Sequence, residues 1–247
     1  METPLARVWS ATKIVFPAEP DNFFYRPGFT LDRAIAEHRP KSVPAVVYLH
    51  DCAGIAVASP EMRIISGLAR AGFVVFAPHS LDRPRDAFCT DARDYHANAE
   101  DVAQRLAELE YVREQLRQFP WLDQANVFAV GHGLGGWALT QLSVSTFPVV
   151  TITGVNCLPA ESASLKSGIA APEDVAVLTL LGSHDETLAV NLHERNCSIF
   201  PEMQRVNRKS VLLPGVGHDI TRDPAAVPLI VDFLKLRMVR PTRTVRK

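Results

Sequence analysis

The chain has 247 residues, within the range of one α/β domain, and 47% of them are hydrophobic, enough to fill a large core. A formal net charge of −1 gives no electrostatic case for nucleic acid or an anionic membrane as partner. The N-terminus has neither a basic n-region nor an apolar h-region, and no apolar run approaches the roughly 18 residues of a membrane span, so a cytoplasmic location is expected.

Residues 1–43 read as an N-terminal edge segment, with Ile14-Val15-Phe16 as a candidate edge strand. Beyond it, continuous apolar runs occur at Val46 to Leu49, Phe73 to Phe76, Val127 to Val130, Val149 to Ile152 and Val175 to Leu181. Runs of this kind suit parallel strands covered on both faces. The polar segment from His79 to His96 contains Pro84 and is expected to overhang the strand ends as a lid or pocket wall. Arg83 and Arg85 in it are candidates for holding a substrate carboxylate by bidentate hydrogen bonds, although a solvated loop is the plainer reading. Val102, Leu106, Leu109, Val112 and Leu116 then recur at helical spacing and stop before Pro120.

The four cysteines, Cys52, Cys89, Cys157 and Cys197, lie far apart with no C-x-x-C pair. That spacing suggests neither a zinc site nor a disulfide framework, and reduced thiols are expected. After the last apolar helix come Arg237, Arg240, Arg243, Arg246 and Lys247, with residues 239–247 expected to fray as a basic tail. The whole pattern predicts a single α/β domain over 1–247, with a mostly parallel central sheet and helices on both faces. Oligomeric state is open, and no cofactor or metal is expected.

The chemistry concentrates at Gly131-His132-Gly133-Leu134-Gly135-Gly136, directly after the run ending at Val130 and at the start of a helix-like segment. This is the layout of a nucleophile elbow, the sharp strand-to-helix turn of G-x-S-x-G, with Gly133 in the place of the attacking residue. The same residues satisfy the dinucleotide fingerprint G-x-G-x-x-G. They do not sit in the first strand-helix unit, however, and no acidic residue falls between Val149 and Leu158 to hold a ribose. Downstream, Asp185 follows the run to Leu181, and His218 follows Val211 to Leu213. Nucleophile position, acid and histidine in that order is the chain order of an α/β-hydrolase triad.

On these residues, together with Tyr48-Leu49-His50-Asp51-Cys52-Ala53-Gly54, Gly72 to Pro78 and Pro120-Trp121, the chain resembles the dienelactone hydrolase-like members of the α/β-hydrolase superfamily over about residues 44 to 238. The resemblance implies a catalytic group of residue 133, Asp185 and His218, with an oxyanion hole from the N–H groups of Leu134 and Cys52. Relatives carry Ser or Cys where this chain has Gly133, and usually Gly where it has Asp51. A carboxylate beside the oxyanion loop would oppose a developing negative charge unless protonated or turned away. Asp51 and His132 are further candidates for contact with a small-molecule substrate or ligand.

Several functions are compatible with this pattern. The chain can be an ester or lactone hydrolase that lacks its nucleophile and is inactive as a serine hydrolase. It can be an enzyme in which His218, oriented by Asp185, works as a general base in water activation, lyase or cyclase chemistry. It can also be a ligand-binding protein on a hydrolase scaffold, or, more remotely, a dinucleotide-binding protein.

Overall fold

The computed structural model describes residues 3–17, 42–56, 59–80, 99–158, 165–186 and 196–239. Seven strands form one sheet: β1 (Lys13–Val15), β2 (Val43–Leu49), β3 (Val74–Ala77), β4 (Leu122–His132), β5 (Val149–Thr153), β6 (Ala176–Gly182) and β7 (Arg208–Leu213). Their order across the sheet is β1-β3-β2-β4-β5-β6-β7. Only β1 runs antiparallel, pairing Ile14 with Phe76 at the sheet edge. The α/β class with a mostly parallel sheet, expected from the apolar runs, is what the chain adopts.

Among the described residues, five α-helices accompany the strands: α1 (Pro4–Ser10), α2 (Pro60–Arg70), α3 (Ala99–Leu116), α4 (Leu134–Thr140) and α5 (Ala226–Lys235). Thr3 and Ser59 cap α1 and α2 through their hydroxyls, with Pro in the first turn of both, where its missing N–H costs nothing.

Strand alternation divides the core into two layers. On β2, Ala45, Val47 and Leu49 face one layer, and Val46 and Tyr48 face the other. The first layer takes Val102, Leu109, Val112 and Leu116 from α3 and Trp137 and Ala138 from α4. The second takes Ile64, Ile65 and Leu68 from α2 and Ile230, Phe233 and Leu234 from α5. Because both faces are covered, β2 is fully buried from Ala45 to Leu49, and each large side chain removed from water there contributes about 1.5–3 kcal/mol.

The inward stripe of α3 differs from its apolar spacing. Leu106 is only half-buried, while Arg105 and Glu108 are buried, at 3% and 1% exposure. These two charges are tolerated because they meet each other at 3.5 Å and serve the loop after β2.

The expectation of reduced thiols is overturned. Cys157, just past β5, is disulfide-bonded to Cys197, 40 residues on, and Cys52 is also half of a disulfide. Spacing could not show this, because the fold, and not the sequence, brings the loop after β5 against the short helical turn at Cys197–Ile199. Both cysteines of the bridge are buried in the first core layer.

Among the described residues, no helix is long and apolar enough to cross a membrane. Of the basic tail, Arg237 lies over the Phe233 ring at 3.5 Å; residues 240–247 lie outside the described residues. Replacing both Cys157 and Cys197 by Ala is expected to lower the unfolding free energy by about 2–4 kcal/mol, read from chemical denaturation of the oxidised parent and the variant.

Candidate active site

Four parallel strands deliver the site from their carboxyl ends, where open α/β sheets leave a crevice. Asp51 follows β2, Gly133 follows β4, Asp185 follows β6 and His218 follows β7. The last two loops are tied together: Ser183 N–H donates to Leu213 O at 2.9 Å, and His184 N–H to Val216 O at 2.8 Å. Gly215 N–H donates to Ser183 Oγ at 2.8 Å. Ser183 is thus a turn residue that fixes the distance between Asp185 and His218.

Gly133 has φ 52° and ψ −117°, outside the regions that residues with a Cβ adopt without strain, as the tip of a strand-to-helix elbow requires. The space beyond its Cα is not empty. A Cβ built on Gly133 would overlap Oδ1 and Cγ of Asp51. Asp51 Oδ1 accepts a hydrogen bond from Leu134 N–H at 2.8 Å, and Oδ2 lies 3.4 Å from His218 Nε2. On its other side, His218 Nδ1 lies 2.8 Å from Asp185 Oδ2. The carboxylate of Asp51 therefore stands where a side chain at 133 would begin, between the Leu134 amide and the histidine.

Electrostatics follow from this arrangement. Burial would lower the His218 pKa, but hydrogen bonds to Asp185 and Asp51, and their charges, raise it to about 10. Burial would raise the Asp51 carboxyl, yet the bond from His218, the charge of that imidazolium and the Leu134 amide hold it well below the usual carboxylate range. The pair is thus carboxylate and imidazolium at neutral pH. Asp51 is neither protonated nor turned away: with no side chain at 133, the elbow accepts the carboxylate, and His218 supplies its counter-charge.

His132 is buried at 1% exposure and packs against His218 with ring centroids 4.7 Å apart. Thr153 Oγ1 donates to Gly131 O at 3.0 Å, so it accepts from His132 Nδ1 at 2.9 Å. Burial, reinforced by the charge of His218, pushes His132 down to about 4, and it is neutral. It supports the floor beneath His218 from a position away from solvent. Gly154, with φ +68°, is the point where both rings come so close that a Cβ would crowd them at 2.8–3.0 Å. Neither Thr153 nor Gly154 carried a motif that sequence reasoning could use.

The backbone of Asp51 is clamped from behind. His50 Nε2 accepts from Ser80 N–H at 3.2 Å, so its proton sits on Nδ1 and is donated to Asp51 O at 2.6 Å. Burial, with the Arg105 guanidinium beside it, keeps His50 neutral and well below the usual histidine range. Arg105 donates to His50 O at 3.2 Å, and Glu108 accepts from Ser80 Oγ. These supports were missed from sequence; the signal available was two charged residues on the inward side of an otherwise apolar helix. Cys52, expected to lend its N–H to an oxyanion, is half-buried against the first core layer. Arg83 and Arg85 lie outside the described residues.

Residues 33–226 match the model of the dienelactone hydrolase family. No curated protein sequence matches the chain. Among solved structures, a candidate dienelactone hydrolase from Klebsiella pneumoniae subsp. pneumoniae aligns with a TM-score of 0.57 and 17% identity, covering 79% of this chain and 88% of its own. A cold-adapted esterase from an Arctic intertidal metagenomic library gives 0.56 and 14%, covering 80% and 84%. Est1E from Butyrivibrio proteoclasticus with bound ferulic acid gives 0.55 and 12%, covering 91% and 92%. At these identities the likeness is one of fold.

Two outcomes follow from the site. Gly133→Ala is expected to lower stability by at least about 1–3 kcal/mol, from backbone strain alone. The loss should shrink in an Asp51→Ala background, because the carboxylate no longer has to be displaced; a urea double-mutant cycle reads the coupling. Separately, the folded pKa of His218 lies above its unfolded value of 6.5. Its contribution to stability is therefore complete below pH 6.5 and is lost as pH rises through about 10. Denaturation across that window should show the decline, and NMR titration of Asp51→Asn should return a lower His218 pKa.

Proposed function

Since the chain belongs to the dienelactone hydrolase family, we propose that it hydrolyses small-molecule esters or lactones with water activated by His218 and Asp185, and without an acyl intermediate on residue 133. The observation that carries this reading is the 2.8 Å contact of His218 Nδ1 with Asp185 beside an elbow whose tip has no side chain. A histidine held by Asp185 on Nδ1 and facing the Asp51 carboxylate with Nε2 at the crevice is placed for general acid-base catalysis. A glycine at 133 cannot be acylated, so serine-type chemistry is absent from this form of the protein.

The alternative of a binding protein on the same scaffold is less well supported. Two carboxylates and an imidazole drawn together at the strand ends are costly to desolvate and are not required for packing. The dinucleotide reading loses its space, since Asp51 fills the turn where a pyrophosphate would approach Leu134 N–H. The disulfides at Cys157 and Cys52 favour an oxidising compartment over the expected cytoplasm.

Direct water activation requires His218 without its second proton. With a pKa of about 10, roughly one molecule in a thousand is in that form at neutral pH. Accordingly kcat/KM for short esters and lactones should rise about tenfold per pH unit until the pKa of the histidine is reached. His218→Ala should reduce it by about 100- to 10,000-fold, and Asp185→Asn should depress it strongly through loss of the imidazole orientation. A rate unchanged by both substitutions sinks the proposal. Gly133→Ser alone should add little, because the new side chain meets Asp51, whereas Gly133→Ser with Asp51→Gly should gain serine-type ester cleavage.

A further inference from the structure

The two oxygens of Asp51 are placed differently. Oδ1 is held on Leu134 N–H, a donor of the oxyanion-hole kind, at 2.8 Å. Oδ2 faces His218 Nε2 at 3.4 Å, at the crevice end of the chain of contacts to Asp185. The carboxylate is 19% exposed, so it is reachable, and its main chain is fixed by His50 and by Gly54 N–H, which donates to Asp51 O at 3.0 Å. From this geometry we propose that Asp51 is the covalent nucleophile of the site and that the substrates it takes are epoxides.

The inference rests on the reading that His218 and Asp185 activate water, and adds to it the group that water attacks. A carboxylate that attacks a carbonyl gives an anhydride, a poor intermediate. At a saturated carbon it gives an ester, which is stable enough to form and labile enough to hydrolyse. The proton on His218 selects among saturated electrophiles: an epoxide oxygen needs a proton as its ring opens, whereas a departing halide does not.

In the first step Asp51 Oδ2 forms a bond to an epoxide carbon and the ring carbon–oxygen bond breaks. Its electron pair goes to oxygen, which takes the Nε2 proton of His218. The result is a neutral hydroxyalkyl ester and a neutral imidazole. With one flanking carboxylate now uncharged, His218 is held less strongly in its protonated form and can serve as base. It takes a proton from water as the water oxygen adds to Asp51 Cγ, and the carbonyl pair moves onto Oδ1, where Leu134 N–H receives the charge. Collapse breaks the ester bond. The leaving alkoxide takes the proton from His218, the new carboxylic acid returns one, and the balance is epoxide plus water to a vicinal diol.

The test uses the full oxidised chain with styrene oxide and with cyclohexene oxide in heavy-oxygen water, followed by reduction and tryptic digestion. Residues 42–63 form one tryptic peptide, in which Asp51 is the sole aspartate. Turnover should place heavy oxygen in the Asp51 carboxylate, with no label in a control lacking epoxide. His218→Gln removes the proton that ring opening needs and should leave the peptide without label and without adduct, and Asp51→Ala, folded by circular dichroism, should reduce diol formation to the uncatalysed rate. If diol forms in a His218-dependent way while Asp51 stays unlabelled, the covalent role is overturned and water activation by His218 stands. If neither epoxide yields diol or adduct, the substrate class is overturned, and the ester and lactone assays still judge the proposed function on their own.

Discussion

The contact on which the rest of the site depends is that between the Asp51 carboxylate and the vacant side of Gly133. A side chain at 133 and the carboxylate cannot share the elbow, since a Cβ there overlaps Oδ1 and Cγ. Glycine at this position therefore leaves room for a carboxylate. It opens a place where a carboxylate touches both the Leu134 amide and His218. The histidine, gripped from both sides, then holds its proton to about pH 10. Loss of one side chain changes the ionisation of the two groups around it.

A charge held at that position needs a rigid loop, and the chain supplies one from an unexpected direction. The turn after β2 is fixed by the His50 ring, which in turn depends on Ser80 at the end of β3 and on Arg105 of α3. Glu108 balances the buried guanidinium at 3.5 Å. Removing either partner of such a pair leaves the other charged and dry, which is far more damaging than never having buried the pair. The disulfide at Cys52, next in sequence to Asp51, adds a covalent restraint on the same loop. Rigidity serves chemistry here because a carboxylate free to rotate would leave the amide and solvate itself in the crevice.

How much of this was legible in the sequence divides along a physical line. The parallel strands β2 to β6 were readable because both of their faces are largely buried and each contains an apolar run, whereas β7 at the sheet edge, with Arg208, Lys209 and Ser210, showed only in Val211 to Leu213. The strand-end positions of Gly133, Asp185 and His218 followed once those runs were placed, and β1 at the sheet edge was readable from Ile14 and Val15. The direction in which Asp51 points was not readable, because it is set by the space left at residue 133, across 81 intervening positions of the chain. Arg105 and Glu108 escaped because an apolar stripe counts only hydrophobic residues, and the stripe assigned Leu106 to a place the charged pair occupies. The Cys157–Cys197 bridge escaped because cysteine spacing carries no information about which loops a sheet brings together.

The glycines around the elbow bear on the same point. In a dinucleotide site, glycines clear space for a phosphate against the first amides of a helix. Here the amide of Leu134 is already satisfied by a carboxylate from the chain itself, with an imidazolium as its counter-ion. The remaining glycines of the motif serve close packing: the backbone of Gly135 lies against Leu49 of β2, and that of Gly136 against Thr153 of β5. A glycine pattern shared by two unrelated functions is thus resolved by which negative group approaches the helix. In this chain that group is covalently attached, aimed by its own loop and neutralised by a histidine. The site therefore has the charge pattern of an enzyme that carries its anion within the protein and does not wait for one to bind.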